Sequence, residues 1–205
     1  EELMEILSEI KKEVPEYCRI IRLLRDFPSE LVLKGSKLLN IRQIMQKRGI
    51  ECICVRCREI KNENFSPENV ELIKREYDAN GGKEVFLSFE DTTRDKLIGL
   101  LRLRFLMNGL SKELADVFPE IKGAAIVREL HVYGQQKSLA NADGCSLDSK
   151  TQHLGFGRRL MGIAEEISRE EGFKKIAVIA AVGTREYYKK LGYTLEGTYM
   201  TKPLG

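Results

Sequence analysis

The nine residues Gln152-His153-Leu154-Gly155-Phe156-Gly157-Arg158-Arg159-Leu160 constrain this chain more than any other stretch. They spell Q-x-x-G-x-G, and an apolar pattern at helical spacing, Leu160, Ile163, Ala164 and Ile167, follows at once. A chain with this pattern has to set a sharp glycine turn directly against the start of an amphipathic helix. Glycine lets the backbone come close to a bulky anion. The helix start offers unpaired N–H groups and the positive end of the helix dipole. A diphosphate suits such a turn, received on the N–H groups of Gly155, Phe156, Gly157 and Arg158. Gln152 opens the motif, and Arg158 and Arg159 add positive charge.

Charge is spread unevenly around a net value of only +3. Residues 1–18 hold six Glu against two Lys, residues 19–61 hold eleven Lys and Arg against four Asp and Glu, and residues 62–205 balance. One short segment thus carries the whole positive excess, the footprint of a phosphate-bearing partner. The segment includes Arg19, Arg22, Arg25, Lys34, Lys37 and Arg42. A length of 205 residues allows one substantial domain and a smaller appendage. No run approaches the roughly 18 apolar residues that span a membrane, so no membrane partner is expected. Residues 1–13 read as an acidic amphipathic helix and not as a signal peptide. The chain starts on Glu1 and not on Met, which implies a piece of a longer polypeptide. Five cysteines in this setting point to reduced thiols or metal, and to the cytoplasm.

The charge distribution divides the chain at about residue 61. Before that point, helices are expected over 2–13, with Leu3, Ile6, Leu7 and Ile10 on one face, and over 39–48, with a short strand over 18–24 and a loop over 25–29. Ser66-Pro67-Glu68 reads as a helix start, giving a helix over 66–79 that stops at Asn80-Gly81-Gly82. Strands are then expected over 84–90, 96–105, 124–133, 175–181 and 193–200, helices over 155–171 and 184–190, and loops over 106–123 and 134–151. The order is that of a mixed α/β sheet.

Together these features resemble the GNAT acetyltransferases, whose acetyl-CoA loop has the Q-x-x-G-x-G form. Further stretches narrow the resemblance. They are Arg25 to Ser29, Tyr77 to Gly82, Gly99 to Arg104, Arg128-Glu129-Leu130-His131-Val132-Tyr133-Gly134, Gly183 to Tyr193, and Glu196 to Met200. They are similar to the C-terminal acetyltransferase domain of the catalytic subunits of Elongator, the tRNA wobble-uridine (U34) modifying enzymes. The resemblance implies an α/β GNAT fold over 62–205, a mixed central sheet flanked by helices. Residues 1–61 then form a small basic zinc-binding appendage, the C-terminal remnant of a radical-SAM domain. The three clustered cysteines that hold a [4Fe–4S] cluster with S-adenosylmethionine are absent here. Those cofactors are expected only in the full-length family enzyme, where other Elongator subunits are further partners.

The resemblance also implies roles for residues. Glu129, Leu130, His131 and Val132 form a strand that contacts acetyl-CoA, and this strand should splay from 175–181 to free its edge for the pantetheine amides. Tyr188 contacts the cofactor and is the expected proton donor to the leaving thiol, with Tyr187 next to it as the alternative. Cys52, Cys54 and Cys57, three thiols within six residues, signal a metal, and a tetrahedral zinc site needs a fourth ligand. Cys18, Cys145 and His131 are candidates, and the family pattern favours His131. The basic segment is the expected tRNA contact. Two other readings share parts of this set, a protein lysine acetyltransferase and an RNA-binding module that has lost its cofactor.

Overall fold

The Asn80-Gly81 pair organises the first half of the sheet. Both residues have positive φ, 44° and 67°, as in the two-residue turns that match the twist of paired strands. The pair joins β1 (Val70–Ala79) to β2 (Gly82–Asp91), antiparallel from Val70↔Asp91 to Ala79↔Gly82. The helix expected over 66–79 is therefore a strand, preceded by a single 3-10 turn at Pro67–Asn69. Ser66-Pro67-Glu68 does start a helical turn, but Ile73, Arg75, Tyr77 and Ala79 are then partly buried at every second position. That period of two fits a strand with one covered face and cannot fit a helix.

The computed structural model describes residues 2–24, 29–35, 40–61, 63–107, 109, 111–134 and 155–205. Arg25, Lys37, Cys145, Gln152 and His153 lie outside the described residues, as does most of the loops expected over 25–29 and 134–151. The chain forms two units, Glu1–Glu59 and Ile60–Gly205.

In the larger unit, β3 (Lys96–Phe105) pairs antiparallel with β2, and β4 (Ala124–Val132) antiparallel with β3. β5 (Lys175–Val178) runs parallel to β4, and β7 (Tyr199–Pro203) closes antiparallel on β5 with β6 (Thr194–Glu196) outside it. The order is β1-β2-β3-β4-β5-β7-β6. β5 ends earlier than expected, at Val178. The single strand expected over 193–200 is two, turning at Gly197. The loop expected over 106–123 contains a helix, Lys112–Val117, capped by Ser111, whose Oγ accepts from the Leu114 N–H at 3.4 Å.

The helix that matters for the site is Phe156–Glu170, which buries Phe156, Leu160, Met161, Ala164 and Ile167. Its apolar stripe is the one written in the sequence, and it meets Val85, Leu87, Leu101 and Leu103 in a core with no solvent exposure. A polar clamp fixes its rotation. The Glu165 carboxylate accepts from Tyr193 Oη at 2.9 Å and from Lys202 Nζ at 2.8 Å. Burial, and then the Glu165 carboxylate, push the Tyr193 hydroxyl well above the usual phenol range.

The smaller unit holds helices at Glu2–Glu13, Ile41–Lys47 and Val55–Arg58, the first two supplying the buried cluster of Met4, Leu7, Ile41 and Met45. The buried face of the first helix is Met4, Leu7 and Lys11, while Ile6 and Ile10 of the expected face are exposed. The strand expected over 18–24 is not formed, and Leu23 and Leu24 pack as irregular chain on that core.

Glu165→Ala should remove the clamp and leave Tyr193 Oη without its buried acceptor. Breaking a buried charged network of this kind costs about 3 kcal/mol. Denaturant unfolding should show that loss, and Glu165→Gln should recover part of it.

Candidate functional site

The site begins where two strands part. β4 and β5 pair only from Ala124↔Lys175 to Val127↔Val178, and one more bond, from the Ile179 N–H to the Val127 carbonyl at 3.2 Å, ends the contact. β4 continues beside β3 to Val132. On the other side the chain turns away through Val182–Thr184 into the helix Arg185–Lys190. Among the described residues no strand pairs with that edge of 128–132, so its peptide groups are available to a ligand with amides of its own.

The start of helix Phe156–Glu170 faces the same opening. Gly155 caps it in the left-handed region, φ 69°, where a side chain would be strained. The first helical bond runs from the Arg159 N–H to the Gly155 carbonyl at 3.0 Å. The N–H groups of Phe156, Gly157 and Arg158 then have no intrahelical acceptor. The Phe156 ring is buried against Phe89, with centroids 4.8 Å apart, and anchors the turn. Arg159 lies over the Phe89 ring at 4.5 Å, while Arg158 is exposed.

Gly157 explains how closely the parts meet. A Cβ there would stand 2.9 Å from Tyr187 Oη and 3.6 Å from Val132 Cγ2. The helix start, the end of β4 and the Tyr187 hydroxyl thus converge. Tyr188 differs. It is buried, packs edge-on against Tyr187 and Tyr193 at 5.1 and 6.0 Å, and burial pushes its hydroxyl up to about 12. Burial also raises Tyr187, opposed by Arg158. Of the two tyrosines, Tyr187 faces the opening.

The other strand residues divide by face. Val132 lies on the side of the long helix, and Leu130 shares that side by alternation. Glu129 and His131 point the other way. Glu129 accepts from Arg102 Nε at 2.8 Å, so its carboxylate is held in an ion pair. His131 is exposed, with its ring 4.3 Å from that of Tyr133.

In the smaller unit the sulfur atoms of Cys52, Cys54 and Cys57 all lie within 4.8 Å of one another. A tetrahedral ion with bonds of about 2.3 Å would draw them to roughly 3.8 Å apart, so the group fits a metal. Cys54 precedes the short helix and Cys57 follows one turn on, its N–H bonded to the Cys54 carbonyl at 2.9 Å. The Cys57 thiol, with backbone and Cys52 donors, pulls Cys54 down to about 4 against its burial. Cys57, which donates that bond, is raised. Cys18 is a free thiol that is not a member of the group.

The model of the acetyltransferase (GNAT) family matches residues 51–193. The chain belongs to that family. It is 46% identical to Elongator complex protein 3 of Dictyostelium discoideum, over 99% of this chain and 36% of that protein. It is 40% identical to the tRNA uridine(34) acetyltransferase of Methanocaldococcus infernus, over 100% of this chain and 39% of that protein. The solved structure of archaeal Methanocaldococcus infernus Elp3 with an N-terminal deletion is similar at a TM-score of 0.78 and 38% identity, covering 98% of this chain and 47% of that chain. The chain therefore spans less than two fifths of the length of these two curated relatives. The expected GNAT fold and the Elongator resemblance are both borne out.

The basic segment is less free than its composition implies. Arg19 pairs with Glu59 at 2.7 Å, and Arg42 donates to the Ile20 carbonyl at 2.6 Å and to Cys57 Sγ at 3.2 Å. Arg22 and Lys34 are exposed. Arg22, Arg42 and Arg56 line a cavity of about 440 Å³ with Leu23 and Ile41.

Gly157→Glu should abolish acetyl-CoA binding, measured by calorimetry on a folded variant, because it puts a carboxylate among the helix N–H groups. Gly157→Ala should weaken binding by displacing Tyr187. Adding Tyr187→Phe should restore part of it, since the hydroxyl is the atom in the way.

Proposed function

We propose that this chain is the acetyl-CoA-binding and acetyl-CoA-cleaving part of an Elongator-type enzyme that modifies U34 of tRNA. The observation that carries the reading is the convergence of the helix start, the free β4 edge and Tyr187 Oη at Gly157. A dinucleotide-like diphosphate with a long amide-bearing arm and a thioester matches these three features in turn.

Acetyl-CoA supplies an activated acetyl group as its thioester. The N–H groups of Phe156, Gly157 and Arg158 bind the diphosphate, and the backbone of 129–132 orients the pantetheine arm by strand addition. Tyr187 holds a proton at Oη for the sulfur that leaves, and its raised acidity range keeps that proton in place at neutral pH. Tyr188 backs the Tyr187 ring and lines the wall. Glu129 is engaged by Arg102 and positions the strand.

Support for tRNA comes from the named activity of the Methanocaldococcus infernus relative and from the basic segment. Of the residues expected to contact RNA, Arg22 and Lys34 are described and exposed, open to a phosphate backbone. In this reading residues 1–59 are the tail of a radical-SAM part. Its iron–sulfur cluster, S-adenosylmethionine and any further Elongator subunits lie outside this chain. The three thiols hold a structural zinc ion.

Acetyl-CoA hydrolysis, followed by thiol release with and without tRNA, tests the proposal. The rate should rise with tRNA, and Tyr187→Phe should lower it by roughly 100-fold or more while acetyl-CoA affinity changes far less. Turnover on a lysine peptide without RNA would instead favour a protein acetyltransferase. Binding of tRNA should weaken with salt, and Arg22→Glu should weaken it further. Elemental analysis should find one zinc per chain, released in Cys54→Ser.

A further inference from the structure

Among the described residues, the cavity of about 440 Å³ in the smaller unit is lined by three arginines and by no Asp or Glu. Its size lies in the range of about 300–1,000 Å³ typical of small-molecule sites. A bare phosphate ion would leave most of it empty. Leu23 and Ile41 give it an apolar floor, because Ile41 is buried and Leu23 packs against the same core. An occupant that matches these walls joins negative charge to an apolar body.

The three arginines are held differently. Arg42 is half-buried, and both of its terminal nitrogens are engaged, Nη2 with the Ile20 carbonyl at 2.6 Å and Nη1 with Cys57 Sγ at 3.2 Å. Such bonds run in the plane of the guanidinium, so they fix that plane and leave its faces for stacking. Arg56 has one bond to Glu59, at 3.3 Å, and its side chain is 48% exposed. Arg22 is exposed, and no described carboxylate pairs with it. The cavity thus offers one fixed cationic plane and two guanidiniums with donors to spare.

We propose that this cavity holds one unpaired nucleotide of RNA, with its base among Leu23, Ile41 and the Arg42 plane and its phosphate on Arg22 and Arg56. The inference rests on the RNA reading of the basic segment and deepens it. Cations along a surface attract any phosphate backbone, paired or unpaired. A concave site admits only a base that has left its partner, and guanidinium planes are among the surfaces on which such bases stack. Stacking of this kind accepts every base, so the cavity selects single-stranded RNA and not a sequence.

Fluorescence anisotropy with two labelled probes tests this, a short oligouridylate and a blunt RNA duplex with the same number of phosphates. The native chain should bind the single strand roughly tenfold more tightly, the gain expected from one stacked base. Gln43 lines the cavity, whereas Gln46 of the same helix does not, and both are exposed. Gln43→Glu should therefore abolish the preference for the single strand. Gln46→Glu changes net charge equally and should keep it. Equal affinity of the native chain for the two probes, or the same effect of both substitutions, would overturn the nucleotide site, and salt-dependent binding of both probes would then leave the RNA reading standing. A native chain that binds neither probe would overturn both.

Discussion

Four residue pairs between β4 and β5 are the constraint on which the rest of the site depends. They are the only parallel pairs among the described strands, and they end abruptly at Val127 and Val178. Up to that point the two strands share their hydrogen bonds and cannot admit a ligand. Beyond it, β3 is the one described strand that still pairs with β4. The parallel arrangement requires a crossover, and the crossover is the helix whose first turn carries the glycine loop. One topological fact thus supplies both an unsatisfied strand edge and a helix start aimed beside it.

Rigidity around that opening comes from groups that do no chemistry. The Glu165 clamp holds the long helix to β7 through Lys202 and to the start of β6 through Tyr193. Phe156 and Arg159 stack on Phe89 of β2, so the residues flanking Gly157 are pinned to the sheet. Only Gly157 itself could stand so near Tyr187, because a Cβ would meet the hydroxyl at 2.9 Å. The same close approach separates the roles of two adjacent tyrosines, one turned to the opening and one to the core.

The smaller unit faces a different problem. Among the described residues its buried apolar cluster is Met4, Leu7, Ile41 and Met45, a small core for a unit of this length. A metal held by three such thiols would be a compact way to add stability to so small a core. Charge in this unit is also partly internal. Arg19 is neutralised by Glu59, and Arg42 is spent on a carbonyl and a sulfur. A count of cations along the chain therefore overstates the surface left for a nucleic acid.

Local pattern determined much of this protein. The glycine loop, the amphipathic helix behind it, the 96–105 and 124–133 strands and the cysteine spacing are all legible in the sequence. Each depends on neighbours a few residues away. The sequence also contains an Asn-Gly hairpin turn, but the proline-started turn before it imitates a helix start, and only pairing along the whole of β2 decides for a strand. Register and facing were decided by the tertiary structure alone. That Tyr187 and not Tyr188 reaches Gly157, that Glu129 meets Arg102 across 27 residues, and that Lys11 replaces Ile10 on the buried helix face are outcomes of long-range packing. Side-chain direction turns by about 100° per residue on a helix and reverses at each residue on a strand, so a shift of one position changes every partner. Residue types can thus declare a chemistry, while the choice between neighbours waits for the fold.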